Sequence, residues 1–180
     1  MIITSYFIGY FLFGIPGGYL AYRFSARSLI GLTLTVASYL NILVPISSRT
    51  SWSLLIACRF AIGACHGAMW PAFASFWTQW APPSERSRLI GWGFAGVQLG
   101  YAVTEPLGDF LCDHGFDGGW PSMFYIFGSV GFVWFIIWMV QTSDMPTDQR
   151  SIVDRERDYI EAETKESHKI KHAVNELLFL

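Results

Sequence analysis

Four ionisable side chains stand inside apolar runs of this sequence: Arg59, His66, Glu105 and Asp109. The first two fall in RFAIGACHGAMWPAF, residues 59 to 73. His66 follows Arg59 by seven positions, two helical turns, so on a helix both side chains project from nearly one face. A guanidinium and an imidazole along one cavity wall can bind an anion and sense proton concentration, because histidine changes charge near physiological pH. Other readings stand beside this one. Arg59 can be a counter-ion in a structural pair or snorkel to the nearer interface, and His66 can be a neutral ring hydrogen-bonded between helices. Glu105 precedes Pro106, where the missing backbone donor interrupts the helical ladder, and Asp109 follows four residues later. Either carboxyl can pair with Arg59 or carry a proton; Asp109, nearer the end of its run, is the more readily solvated of the two.

These charges matter because of what surrounds them. The chain is 52% hydrophobic and 14% charged, with 8 Trp, 8 Tyr and 15 Phe, too apolar and aromatic for a soluble domain of 180 residues. Crossing about 30 Å of hydrocarbon takes roughly 20 apolar residues. Five stretches qualify, approximately 2 to 21, 28 to 47, 52 to 77, 89 to 112 and 120 to 141, broken at YRFSAR, SSRTS, WAPPSERSR and DHGFDGG. An arginine at the centre of such a span costs roughly 2.5 to 3.5 kcal/mol on insertion scales, so intramembrane charges usually face a bundle interior or a wet cavity.

Orientation follows from the basic residues. Arg23 and Arg27 lie in the first break, Arg86 and Arg88 in the third, and Arg150, Arg155 and Arg157 after the fifth span, whereas the second and fourth breaks hold Arg49 alone. The positive-inside rule therefore puts the first and third breaks and the tail in the cytoplasm. Glycines punctuate the spans at Gly14, Gly17, Gly18, Gly63, Gly67, Gly96, Gly100, Gly128 and Gly131, where they let helices approach closely or bend. The tail turns polar: SIVDRERDYIEAETKE reads as a surface helix with Ser151 as its N-cap, and AVNELLFL turns apolar again. Residues 1–142 thus form a membrane domain and 143–180 a cytoplasmic tail or connecting loop.

Several function classes find no support. Cys58, Cys65 and Cys112 lack metal-ligand or disulfide-framework spacing and read as packed thiols. No phosphate loop, zinc helix or nucleophile elbow is present, so neither an enzyme, a cofactor nor a metal is expected. No basic patch interleaved with aromatics suggests nucleic acid. Met1 opens directly into an apolar run without a basic n-region, as though the chain began inside a longer fold.

IPGGYLAYRFSAR, LNILVPISSR, RFAIGACHGAMWPAFASFWTQWAPPSERSRLIG and GWPSMFYIFGSVGFVWFIIWM together resemble the anion:cation symporter family of the major facilitator superfamily, which includes vesicular glutamate transporters, sialin and type I sodium-phosphate transporters. The resemblance runs from about residue 2 to 162, and WAPPSERSR is its most specific part. It implies an all-α membrane protein whose five transmembrane helices correspond to spans two to six of the N-terminal six-helix half, the first span and the second half being absent. The family's anion-binding arginine falls on Arg59. Three polar positions of the family differ here: its acid seven residues later is His66, a histidine of its PAMHAMW-like segment is Ala74, and the vesicular glutamate transporters' histidine near the start of the second span is Ile3. The superfamily's loop aspartate is Tyr22. The expected function is transport of an organic or inorganic anion, with proton or sodium as the coupling ion, in a multi-pass protein of a vesicle, lysosome or plasma membrane. The alternative is a truncated, non-transporting chain that pairs with a full-length carrier.

Overall fold

The computed structural model describes residues 1–82 and 84–143. The expected surface helix at SIVDRERDYIEAETKE lies outside them. The described residues form five α-helices in chain order: α1 (Ile2–Arg23), α2 (Ala26–Thr50), α3 (Trp52–Trp80), α4 (Arg86–His114) and α5 (Trp120–Gln141). The helices extend into the breaks read from hydropathy, because polar residues continue a helix into the interface as readily as apolar ones. What ends them is local. Ser25 caps α2 by accepting the Ser28 N–H at 3.1 Å. Ser51, extended at φ −161°, closes α2 and opens α3 in a single residue. Asp117, Gly118 and Gly119 all have positive φ and reverse the chain between α4 and α5. A Cβ at Gly119 would strike the Cys112 carbonyl, so only glycine fits there.

Four helices, α1, α2, α3 and α5, are long and apolar enough to cross a membrane. α4 matches α3 in length at 29 residues but carries Gln98, Glu105 and Asp109 within its run. α3, at about 43 Å by helical rise, exceeds the hydrocarbon thickness, in keeping with the long third span read from sequence. Large side chains such as Ile3, Phe11 and Ile15 on α1 and Val133, Ile136 and Val140 on α5 are exposed, a surface suited to lipid and not to water.

The closest seam joins α1 to α3. Cβ atoms built on Gly9, Gly63 and Gly67 would collide with the carbonyls of Phe60, Tyr6 and Tyr10, and one on Gly17 with Ala68. Here backbone lies directly on backbone. α2 packs on α3 through Ala37, Val44, Leu55 and Ile62, a cluster that Ile2 and Tyr6 of α1 also join, and α5 covers α2 where Gly128 and Gly131 admit Ile42 and Ser38. α4 is held more lightly, by Gly108 against Met123 of α5 and Gly93 against Phe73 of α3. The expected packing role of glycine is thus met at Gly17, Gly63, Gly67, Gly128 and Gly131, while Gly14, Gly96 and Gly100 face open space.

At the ends, basic side chains close the bundle. The Arg27 guanidinium donates to the Met139 carbonyl at 2.6 Å while the Trp138 indole donates back to the Arg27 carbonyl at 3.1 Å, so α2 and α5 clasp reciprocally. Arg86 donates to the Thr78 and Ala81 carbonyls, capping α3 from the start of α4. At the opposite end Arg49 pairs with Asp117 at 2.9 Å.

Gly63→Ala is expected to destabilise the chain by about 1 to 3 kcal/mol, because the added methyl must displace backbone, whereas Gly100→Ala should be neutral or stabilising by up to about 1 kcal/mol through helix propensity. Thermal unfolding in one detergent, followed by tryptophan fluorescence, compares the two; equal midpoints would contradict the seam.

Candidate functional site

The α1–α3 seam sets the level of every polar group near it. Gly63 lies against the Tyr6 carbonyl and Gly67 against that of Tyr10, so the two tyrosines, one turn apart on α1, stand beside the α3 segment that carries Arg59 and His66. The Tyr6 hydroxyl meets His66 Nδ1 at 3.0 Å. Their rings sit edge to face with centroids 5.9 Å apart, and Tyr6 in turn stacks on Tyr10 at 6.3 Å. His66 is therefore hydrogen-bonded between helices, one of the two readings its sequence position allowed.

Arg59 turns toward another neighbour. Its guanidinium carbon lies 5.3 Å from the centroid of the Phe124 ring on α5, within the range of a cation–π contact. The side chain is half-buried. Among the described residues the ion pair is that of Arg49 and Asp117, so Arg59 keeps its positive charge without a carboxylate beside it. Phe124 also packs against the Val44, Leu55 and Ile62 cluster, which fixes the ring that Arg59 rests on. Tyr6 packs against that same cluster, so the phenol that meets His66 and the ring under Arg59 share one apolar support.

Glu105 and Asp109 are exposed on α4. Glu105 falls one helical turn beyond Tyr101 and so shares its face. Neither carboxylate makes an ion pair with Arg59 among the described residues. The structure thus rests Arg59 on Phe124 of α5 and links His66, two turns further along α3, to Tyr6 of α1, and leaves the two carboxylates outside both contacts. Of the cysteines, Cys58 is buried beside the Ser47 hydroxyl at 3.4 Å, Cys65 is half-buried, and Cys112 is exposed instead of packed.

Tyr6, Tyr10 and Phe124 were not singled out from sequence. Their register becomes visible only once Gly9 is known to lie on the Phe60 carbonyl, since that contact sets which turn of α1 faces which turn of α3. Chemically, the wall offers one unpaired cation, an imidazole, and several phenols that both donate and accept. That set suits an anion with further polar groups.

The bundle defines a polytopic membrane protein, and comparison with known proteins makes the class specific. The profile of the Major Facilitator Superfamily matches residues 1–178. An uncharacterized transporter, slc-17.2, of Caenorhabditis elegans is 41% identical over 160 residues, 89% of this chain and 32% of the relative. Vesicular glutamate transporter 2.2 of Danio rerio is 38% identical over 174 residues, 97% of this chain and 29% of the relative. Vesicular glutamate transporter 2 of Mus musculus is 38% identical over 167 residues, 93% of this chain and 28% of the relative. The chain belongs to the major facilitator superfamily, within its anion:cation symporter branch. It is an integral, multi-pass membrane protein, and it spans about a third of the length of these relatives.

A double-mutant cycle on Arg59→Met and Phe124→Leu, read by unfolding midpoints in detergent, should return a coupling of about 0.5 to 2 kcal/mol, the range for a partly desolvated cation–π pair. Additive effects would mean that the ring does not hold the guanidinium.

Proposed function

We propose that this chain forms part of a secondary carrier for an anion, with Arg59 as the substrate's principal cationic ligand. The observation that carries this reading is the half-buried Arg59 guanidinium resting on Phe124 with no carboxylate partner among the described residues. A cation held inside an apolar bundle is costly unless something negative visits it. A planar, five-donor guanidinium matches a carboxylate or phosphate in a bidentate way. Two of the relatives named above are vesicular glutamate transporters, which favours a carboxylate-bearing organic anion as the substrate class.

Alternating access needs two opposed halves around a midplane site. These five helices would supply one wall, and the other would come from the length over which the relatives extend beyond this chain. In this arrangement residues 1–142 are the membrane part and 143–180 the cytoplasmic connection, with the breaks holding Arg23, Arg27, Arg86 and Arg88 on the cytoplasmic side. Proton or sodium is the coupling ion. Glu105, one turn from Tyr101, is the carboxyl best placed to join the wall when the bundle moves.

Uptake of radiolabelled L-glutamate and of inorganic phosphate into proteoliposomes, measured with the full-length protein carrying these residues, tests the assignment. Losing a charge-assisted interaction of about 1.5 to 3 kcal/mol predicts that Arg59→Ala lowers kcat/KM for the transported anion roughly 10- to 100-fold. Arg88→Ala, at an exposed position, should behave as the unaltered protein. Unchanged uptake by Arg59→Ala would overturn the role given to Arg59.

A further inference from the structure

The assignment of Arg59 does not use the bond between Tyr6 and His66, a side-chain hydrogen bond that crosses the α1–α3 seam. Elsewhere that seam holds glycine against backbone and apolar side chains such as Phe13 on Phe60, contacts that need no polar partner. A phenol and an imidazole meeting inside it therefore need a reason of their own. Both are half-buried, and both belong to the group that contains the unpaired Arg59.

We infer that Tyr6 is the positioning residue for His66, holding its ring across the seam in either protonation state, so that a proton taken up by His66 appears as charge beside the anion bound at Arg59. The inference rests on the anion-carrier reading and adds to it the group that responds to pH. Its physical basis is the amphoteric hydroxyl. A backbone carbonyl can only accept and a backbone N–H can only donate, whereas Tyr O–H does both. When Nδ1 is unprotonated, the hydroxyl donates to it. When Nδ1 bears a proton, that N–H donates to the phenol oxygen and the hydroxyl proton turns to another acceptor. If the neutral ring already carries its proton on Nδ1, the second proton enters at the other nitrogen and the bond is unchanged. In every case one proton comes from the aqueous side, the ring gains one positive charge, and the contact between α1 and α3 survives.

The charged and titratable groups facing His66 make this charge effective. α1 presents Tyr6, which stacks on Tyr10, and α3 itself carries Arg59 two turns before His66. Further along α3, Cys58 meets Ser47 of α2 and Arg59 rests on Phe124 of α5. No carboxylate among these groups would neutralise an imidazolium. Arg59 and His66 lie about 10 Å apart along the α3 axis, two turns of rise. An anion between them would feel both charges, and without it the two cations would repel. Proton uptake at His66 and anion binding at Arg59 are therefore linked, each favouring the other.

The test has two arms on Tyr6→Phe, which removes only the hydroxyl. In the first, proteoliposomes containing the full-length protein take up radiolabelled L-glutamate across about pH 5 to 8, the range where an imidazole titrates. KM should fall as pH drops in the unaltered protein, by roughly 3- to 10-fold across the range. It should be flat in His66→Gln, and follow a displaced midpoint in Tyr6→Phe with kcat little changed. In the second, 15N-histidine NMR of the 180-residue chain in detergent should show the His66 ring nitrogens shifting on loss of the Tyr6 hydroxyl, while His114 does not move. A Tyr6→Phe variant with unaltered imidazole signals, or one that lowers uptake by the same factor at every pH, would overturn the inference. The NMR arm does not involve Arg59, so failure of Arg59→Ala to affect uptake would remove the anion site while the Tyr6–His66 arm is still decided by its own signals.

Discussion

Everything near the charged wall depends on the backbone contact between α1 and α3. Gly9, Gly63 and Gly67 each lie against a carbonyl of the opposite helix, with no side chain between. In hydrocarbon, helix association gains nothing from expelling water, so close van der Waals approach has to provide the attraction. The same contact fixes register. A slip of one residue would drive a methyl or larger group into a carbonyl, which disfavours any neighbouring register. The seam therefore does for this bundle what a hydrogen-bond ladder does for a sheet: it decides which polar side chains can meet.

Much of the architecture was legible from residue types alone. Apolar length gave the helices, and the spacing of Arg59 and His66 put them two turns apart on α3. Less visible was which neighbour each meets. Arg59 leans toward α5 and His66 toward α1, a divergence set by neighbours whose register no local pattern encodes. The glycines show the same limit: Gly63 and Gly67 sit in the tightest contact of the fold, while Gly96 and Gly100 meet nothing, although all four occupy similar i, i+4 patterns. Periodicity names a candidate face; only the opposing helix says whether that face is used. α4 departs from the other helices, since its polar residues lower its hydropathy and its packing on α3 and α5 is slight.

The basic residues at the helix ends combine two duties. Their count in the loops implies which side of the membrane each loop occupies, yet Arg27 and Arg86 also donate to carbonyls that the ends of α5 and α3 leave open. A loop arginine that satisfies orphan acceptors ties neighbouring helices together where no ladder can. Arg49 does likewise at the other end through Asp117, in a turn whose left-handed backbone only a glycine-rich sequence tolerates.

Proline stands inside both helices of the central seam, at Pro16 in α1 and Pro71 in α3. Each removes one rung of its ladder and weakens its helix at that turn. The two weak turns are neighbours, because Gly17 rests on Ala68 and a Cβ built on Gly18 would lie 3.6 Å from Pro71 Cβ. A pair of rods in contact at their soft points cannot flex independently. The α1–α3 pair accordingly has one elbow in common, and the tyrosine, histidine and arginine groups lie together on the forearm to one side of it.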